Sequence, residues 1–535
     1  EPTFRNEPMA DFSQEPMRAK MRDALAAVRK EFGKEYSLII NGKRLASSAW
    51  MNSVNPSHSK QVLGKAAAAT KEQAEAAVKA AAAAFPAWRD TPVAARAAVL
   101  RKAAELMRRR RFELSAWMVY ECAKPWREAD ADTCEAIDFC DYYAHEMLRL
   151  DRQQHRNVPG EENAYFYEPR GVASVIAPWN FPLAIPCGML AAALVAGNPV
   201  ILKPAEQSPI IASKLVDLFL EAGAPPGTVH YLPGIGEEVG PTLVGHQDVA
   251  VIVFTGSRQV GLMINEQAGR TPPDQPFVKK VITEMGGKNA IIVDEDADLD
   301  EAVHGVVVSA FGYQGQKCSA CSRAIVLAAN YDTFLKRLVE MTRSLKVGPA
   351  DDPSNAVGPV IDEEARQRIL GYIEKGKKES TLAYGADVGA LEFEGFYVGP
   401  HVFVDVPPTA AIAQEEIFGP VLAVIKVANL DEALELANGT PYALTGGLYS
   451  RSPDHIARVR REFRVGNLYI NRKITGALVD RQPFGGFKLS GIGSKAGGPD
   501  YLLQFLTPRV ITENTMRHGF APTAGLEGQL GVGGL

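Results

Sequence analysis

The chain has 535 residues, 46% of them hydrophobic and 23% charged, with a formal net charge of −5. That length exceeds what one hydrophobic core usually organises, so two domains with smaller appendages are expected. Mild acidity argues against nucleic acid or an anionic membrane surface as a partner.

The chain starts on Glu1 with polar and acidic residues, and no signal peptide is visible. A start other than Met leads to the expectation of a domain processed or excised from something longer. Residues 1–35 read as an irregular lead and a helix over 15–32. Residues 36–44 read as strand, turn at Asn41-Gly42, strand. Thr70 and Gln73 form a capping-box pair ahead of an Ala-rich helix, which Pro86 is expected to stop after Ala84. Long helical patterns follow over 93–120 and 126–150. The run Arg108 to Arg111 lies in the first of them and reads as a solvated helix face. Beyond residue 165, apolar runs at 172–177, 199–203, 229–232 and 249–255 alternate with helical patterns. A second such set begins at Ala290 and continues through 324–328 and 421–427. Continuous Val/Ile runs suit strands covered on both faces, hence parallel sheets in two α/β domains. The most apolar stretch, 184–197, is too short to span a bilayer and is closed by Asn198-Pro199. Residues 519–535 are Gly-rich with little to bury, and disorder is expected there. Six cysteines in so long a chain make no disulfide framework. A reducing, soluble compartment such as a bacterial cytoplasm is therefore expected.

The stretch Gly315-Gln316-Lys317-Cys318-Ser319-Ala320-Cys321 holds the reactive candidate. A cysteine in such company is often inert, and Cys318-x-x-Cys321 also admits redox or metal readings. A metal would want a second pair or nearby histidines, and a thiol–disulfide motif would want a thioredoxin-sized chain. No metal is expected. Glu284 ends a strand-like run ahead of Gly286-Gly287-Lys288, where a carboxylate serves as a base or as a helix cap. Asn180, in the Pro178-to-Pro182 segment after a strand, offers an amide donor to developing negative charge, or is an ordinary turn residue. Lys203-Pro204-Ala205-Glu206 places a cation and a carboxylate at another strand end, where carboxylates bind dinucleotide ribose. Gly234, Gly236 and Gly240 make a loose dinucleotide fingerprint, its last glycine one residue late. Phe254-Thr255-Gly256-Ser257 follows the next strand and opens a helix whose N-terminus suits a pyrophosphate.

In order and spacing these motifs resemble the aldehyde dehydrogenase superfamily. The resemblance includes Trp179-Asn180, Lys203 to Glu206, Phe254 to Ser257, Glu284 to Lys288 and Gly315 to Cys318. It also includes Glu415-Glu416-Ile417-Phe418-Gly419-Pro420 and Pro483-Phe484-Gly485-Gly486, and runs from about residue 35 to residue 510. It implies an α/β fold with a Rossmann-like cofactor domain (1–149 and 171–283) and a catalytic domain (284–496). It further implies a flap (150–170 and 497–518) that builds a homo-oligomer, at least a dimer. By the same resemblance Cys318 is the nucleophile, Glu284 the general base and Asn180 the oxyanion donor. Trp179, Lys203, Glu206, Gly236, Gly240, Thr255, Gly256, Ser257, Glu416 and Phe418 would form an NAD site. Lys203 and Glu206 would meet the adenosine ribose, Ser257 the pyrophosphate, and Glu416 with Phe418 the nicotinamide ribose. A carboxylate at Glu206 disfavours the 2′-phosphate of NADP.

Residues 314–320 and 471–477 resemble, within that superfamily, the branch that oxidises L-glutamate γ-semialdehyde, formed from 1-pyrroline-5-carboxylate, in the second step of proline catabolism. The branch implies Ser319 and the backbone amides of Gly476 and Ala477 at the substrate α-carboxylate, and Glu121 at its ammonium. Phe181 and Phe484 would flank the aliphatic chain. Backbone amides exposed by glycine recognise an anion without a buried arginine. The opening Phe4 to Phe12 also resembles this branch, including bifunctional proline-utilisation proteins, which makes a proline dehydrogenase domain or protein an expected partner. Two alternatives remain at this point: a dehydrogenase of another semialdehyde or aliphatic aldehyde, and a non-catalytic protein on the same fold.

Overall fold

The computed structural model describes residues 4–516; the tail expected to be disordered lies outside them. Two sheets built on the continuous apolar runs organise the chain. The first has eight strands, in the order Gly491–Ile492, Lys280–Glu284, Val249–Thr255, Val172–Ile176, Val200–Lys203, Val229–Tyr231, Leu38–Ile40 and Lys43–Leu45. From Lys280–Glu284 to Val229–Tyr231 the strands run parallel. The second has seven strands, Thr381–Gly385, His401–Val404, Val421–Val427, Cys321–Leu327, Asn289–Val293, Thr445–Tyr449 and Asn467–Ile470, parallel after the first. The central strands, such as Val200–Lys203, Val249–Thr255 and Asn289–Val293, bury side chains on both faces and show no alternation. The apolar stretch near residue 190 is the helix Ala184–Val195, buried around its circumference. Among the described residues, no helix is long and apolar enough to cross a membrane.

A third sheet joins distant parts of the chain: Glu161–Pro169 pairs antiparallel with Leu506–Asn514 on one side and Gln154–His155 on the other. The hairpin Ala49–Asn55 with His58–Ala68 was not foreseen, because its Ala-rich second strand carries a helix former's composition. The strand Lys280–Glu284 crosses residue 284, and Gly491–Ile492 returns to the first sheet, so that sheet takes residues from both sides of the expected boundary.

Two helix expectations need correction. The Thr70/Gln73 capping box forms, but the helix it opens, Lys71–Arg89, continues through Pro86. Trp88 lies just beyond that proline, 3% exposed, its indole N–H donating to Leu194 O at 3.0 Å. Burial of such a ring contributes about 2–3 kcal/mol, enough to offset the roughly 3 kcal/mol cost of an interior proline. The pattern over 93–120 is two helices, Val93–Arg109 and Arg111–Cys122, broken where Arg110 turns to φ −104° and ψ 18°. The arginine run is therefore not one solvated face. Arg109 and Arg110 pair at the surface with Glu105 and Glu221, while Arg111 turns inward to grip buried Asp130 with two bonds of 2.6 and 2.7 Å.

Asn180 follows the strand Val172–Ile176, while Lys203, Thr255 and Glu284 end theirs. These are the carboxyl ends of parallel strands, the edge where open α/β sheets bind ligands. Cys318 stands instead at an entry edge, three residues before Cys321–Leu327 in the middle of the second sheet. The two edges meet over one cavity.

Candidate active site

The nucleophile segment is presented by an unusual turn. Tyr313, Gln314 and Gly315 have φ of 49°, 57° and 68°, a left-handed run that costs about 1–2 kcal/mol for each non-glycine. Buried bonds hold it: Tyr313 Oη donates to Cys122 O at 2.9 Å and Gln314 Nε2 to Pro359 O at 2.7 Å. Gly315 is required, since a Cβ there would lie 2.4 Å from Gly419 O. Beyond the turn, Asn289 Nδ2 donates to Cys318 O (2.7 Å) and Ala320 O (2.9 Å), and Asn289 Oδ1 accepts from Thr445 N at 3.0 Å. Thr445 Oγ1 donates to Ser319 O at 3.2 Å. Three consecutive carbonyls around the thiol are thus fixed by two buried side chains.

Cys318 is half-buried and opens, with Glu284, Ser319, Thr255 and Phe181, into a cavity of about 110 Å³. Gly476, Ala477 and Phe484 line the same space, as do Glu135 and Tyr501, which motif reading had not singled out. Gly476 takes φ 75°, which turns the backbone there in a way that a side chain disfavours. Cys321 does not share the cavity; its buried Sγ donates to Arg323 O at 3.4 Å. Burial pushes the Cys318 thiol up, and the neighbouring Glu416 and Glu284 carboxylates push it further. Burial likewise raises Glu284 to about 8, against the pull of the Lys495 ammonium and the Gly486 N–H. Near neutrality the resting pair is therefore a thiol beside a carboxylic acid, each uncharged.

Asn180, 4% exposed, donates its amide to Gln316 O at 3.2 Å, two residues before the thiol. A primary amide has two such protons, so the bond that ties Asn180 to the Cys318 segment leaves a second one. The segment rests on a buried ion pair. Lys124 Nζ contacts Asp132 (2.7 Å) and Asn180 O (2.8 Å), and its charge lies 3.8 Å from the Phe181 ring centroid.

The structure removes Glu121 from this group. Its carboxylate is fully buried elsewhere, accepting from the N–H groups of Ile210 and Ile211 and from Ser53 Oγ. It caps the helix Pro209–Glu221, and a carboxylate at a helix N-terminus satisfies donors that the helix cannot. Besides Glu284, the carboxyl side chain that faces the cavity is that of Glu135, on the helix Trp126–Leu150. Burial and the nearby Asp132 raise it to about 8. A signal for it existed: Glu128, Asp132, Glu135 and Asp138 recur at helical spacing within one long helix, too regularly for a purely solvated face.

The remaining residues form separate local groups. Glu206 Oε1 accepts from Lys203 Nζ and Gly236 N, both at 2.7 Å. A Cβ on Gly236 would come 3.5 Å from that oxygen, whereas the space beside Gly240 is open. Ser257 caps the helix Arg258–Ala268 through Val260 N, and Gly256 packs where a Cβ would meet the Phe254 ring at 2.5 Å. Glu416 Oε1 accepts from Gly287 N at 3.0 Å, and Phe418, at φ 55°, sets its ring edge-on to Trp179 at 5.6 Å. A half-exposed carboxylate beside a buried lysine, open glycine surface and an aromatic pair suit the ribose, phosphates and ring of a dinucleotide.

The sequence profile described as the aldehyde dehydrogenase family matches residues 44–511. A 1-pyrroline-5-carboxylate dehydrogenase of Geobacillus sp. (strain WCH70) is 50% identical over 511 residues, covering 95% of this chain and 99% of that protein. Among solved structures, proline utilization A from Bdellovibrio bacteriovorus superposes with a TM-score of 0.95 at 53% identity, over 97% of this chain and 54% of that longer one. A 1-pyrroline-5-carboxylate dehydrogenase from Thermus with bound NAD superposes with a TM-score of 0.94 at 52% identity, over 96% and 99% of the two chains. The chain belongs to the aldehyde dehydrogenase family.

Proposed function

We propose that the protein oxidises L-glutamate γ-semialdehyde to L-glutamate with NAD, in proline catabolism, using Cys318 as nucleophile, Glu284 as base and Asn180 as oxyanion donor. One observation carries the substrate. Ser319 and the Gly476–Ala477 backbone share the cavity with Glu135, which supplies anion-binding donors and a carboxylate for a substrate that is an α-amino acid at its far end. Phe181 and Phe484 line its apolar stretch. The relatives named as dehydrogenases of this aldehyde's cyclic form support the reading.

The Cys318 thiol gives its proton to solvent water as its sulfur bonds to the aldehyde carbon, and the oxyanion of the thiohemiacetal is held by the second Asn180 amide proton and the Cys318 backbone N–H. NAD, when bound, supplies the acceptor for the hydride that leaves this carbon. Glu206 with Lys203 would hold its adenosine ribose, Ser257 and Gly256 its pyrophosphate, and Glu416 with Phe418 the other ribose. Glu284, as the carboxylate, then takes a proton from water, which adds to the thioester carbonyl; collapse expels the Cys318 thiolate, which takes that proton from Glu284, and releases glutamate. Glu206 favours NAD over NADP because a 2′-phosphate would meet a carboxylate. The parts divide as a cofactor domain (1–149, 171–283) and a catalytic domain (284–496), with Gly491–Ile492 returning to the cofactor domain's sheet. The three-stranded flap leaves Val510 and Ile511 63% and 46% exposed, apolar area suited to joining copies of the chain. A proline dehydrogenase, fused or separate, fits as the source of substrate. A reducing compartment such as the bacterial cytoplasm suits six free cysteines.

NADH formation with glutamate semialdehyde, succinate semialdehyde and propanal at equal enzyme tests the substrate. Preference for the amino acid below about tenfold in kcat/KM (roughly 1.4 kcal/mol) overturns it.

A further inference from the structure

Glu284 and Lys495 sit at opposite ends of one peptide group. The Lys495 ammonium donates to the Gly485 carbonyl, and the N–H of Gly486, the other end of that peptide, lies near enough to the Glu284 carboxylate to favour its charged form. The ammonium also donates to Gly466 O (2.8 Å) and Asn467 Oδ1 (3.1 Å), which uses all three of its protons. Asn467 in turn donates to Pro483 O (3.0 Å) and accepts from Gly485 N (3.4 Å). The segment 483–486 is thereby fastened to the strand Asn467–Ile470. The packing leaves no slack: a Cβ on Gly485 would fall 2.8 Å from Glu284 Oε1 and 3.5 Å from Lys495 Cγ. Glu284 Oε2 is buried without a hydrogen-bond partner among the described residues.

We propose that Lys495 is a positioning residue for Glu284, acting through the Gly485–Gly486 peptide to orient the carboxylate that activates the hydrolytic water. Hydrogen bonds in series polarise one another, so a cation on the carbonyl strengthens the N–H at the far end as a donor to negative charge. The titratable groups facing Glu284 are Lys495, the Cys318 thiol and the Tyr501 hydroxyl. Beyond the thiol lie Glu416 and Glu135. Of these, Lys495 is the cation, and Glu284 already stands at about 8 with that pull in place. Loss of the charge moves it further up. The proposal rests on Glu284 being the base of the reaction above.

The test is rapid-mixing measurement of NADH release from about pH 6 to 10, comparing the purified wild-type chain with Lys495→Met, Lys495→Arg and Glu284→Gln. In Lys495→Met, which keeps the stem and loses the charge, the first-turnover burst persists. The acid limb of the slower hydrolytic phase moves alkaline by about one pH unit. Lys495→Arg keeps the limb within a few tenths of wild type. A full burst with an unmoved limb in Lys495→Met overturns the proposal. So does loss of the burst together with the slow phase, because Lys495 then only maintains the loop. Glu284→Gln separates the two readings: if its slow phase survives, the base assignment itself fails, whatever Lys495→Met does.

Discussion

Asn289 donates its side-chain amide to the carbonyl of Cys318 at 2.7 Å, and the same amide reaches Ala320 O at 2.9 Å. Cys318, the proposed nucleophile, is thus held by a residue that does not line its cavity. Asn289→Ala leaves two buried carbonyls and the Thr445 N–H unpaired, at about 1–3 kcal/mol for each group left unsatisfied. A lower Tm is expected together with a fall in kcat of about ten- to a hundredfold (roughly 1.4–2.8 kcal/mol) and little change in KM. Wild-type kcat at a lowered Tm would assign Asn289 to folding alone.

Glu284 trades stability for reactivity. Its folded-state value of about 8 lies above its ordinary 4.5, so between these pH values the unfolded chain releases a proton that the folded chain retains. Relative stability is therefore full below about pH 4.5 and is lost as pH rises toward 8, by roughly 3–5 kcal/mol. Glu284→Gln does not titrate and escapes this loss. Its Tm is expected to exceed that of wild type by a margin that widens from pH 6 to 8.5, about that span, while steady-state turnover collapses and a first burst of NADH remains. Equal Tm differences across the range would sink the argument.

The convergence of Cys318 and Glu284 on one cavity was legible because each lies in a short motif at a strand edge, where spacing along the chain maps onto position in the sheet. The parallel strands were legible for a related reason: burial on both faces leaves an uninterrupted Val/Ile run. Glu121 and Glu135 were not distinguishable in this way. Both lie in helices, where the face a side chain takes depends on helix phase and on the neighbour that covers it. Only the fold shows that Glu121 meets the N-terminus of Pro209–Glu221 while Glu135 meets the cavity. Pro86 shows the same limit, since its local rule gave way to the burial of Trp88. Lys495 was out of reach because its effect passes through a peptide whose two ends are visible only in three dimensions.

Glu206 is bonded to Lys203 and Gly236 through a single oxygen, so its charge can be removed with little change of shape. Glu206→Gln keeps an acceptor for the Gly236 N–H and frees Lys203 to answer a phosphate. The ratio of kcat/KM for NADP to that for NAD is expected to rise about ten- to thirtyfold, or roughly 1.4–2 kcal/mol. Steady-state kinetics with each cofactor at fixed aldehyde measures it. An unchanged ratio would place the 2′-hydroxyl elsewhere.

Glu135 and Glu121 give a paired prediction in which each variant controls for the other. Glu135→Gln removes the carboxylate facing the substrate's ammonium, so KM for glutamate semialdehyde is expected to rise about ten- to a hundredfold. Propanal has no ammonium, and its kcat/KM should stay near wild type. Glu121→Gln gives the opposite pattern. A carboxamide offers one oxygen where the carboxylate served Ile210, Ile211 and Ser53 with two, leaving a buried N–H unpaired at about 1–3 kcal/mol. Tm therefore falls while both KM values hold. Parallel thermal melts and kinetics on the two aldehydes decide it, because a substrate-selective KM effect from Glu121→Gln with none from Glu135→Gln would return the ammonium site to the helix Arg111–Cys122.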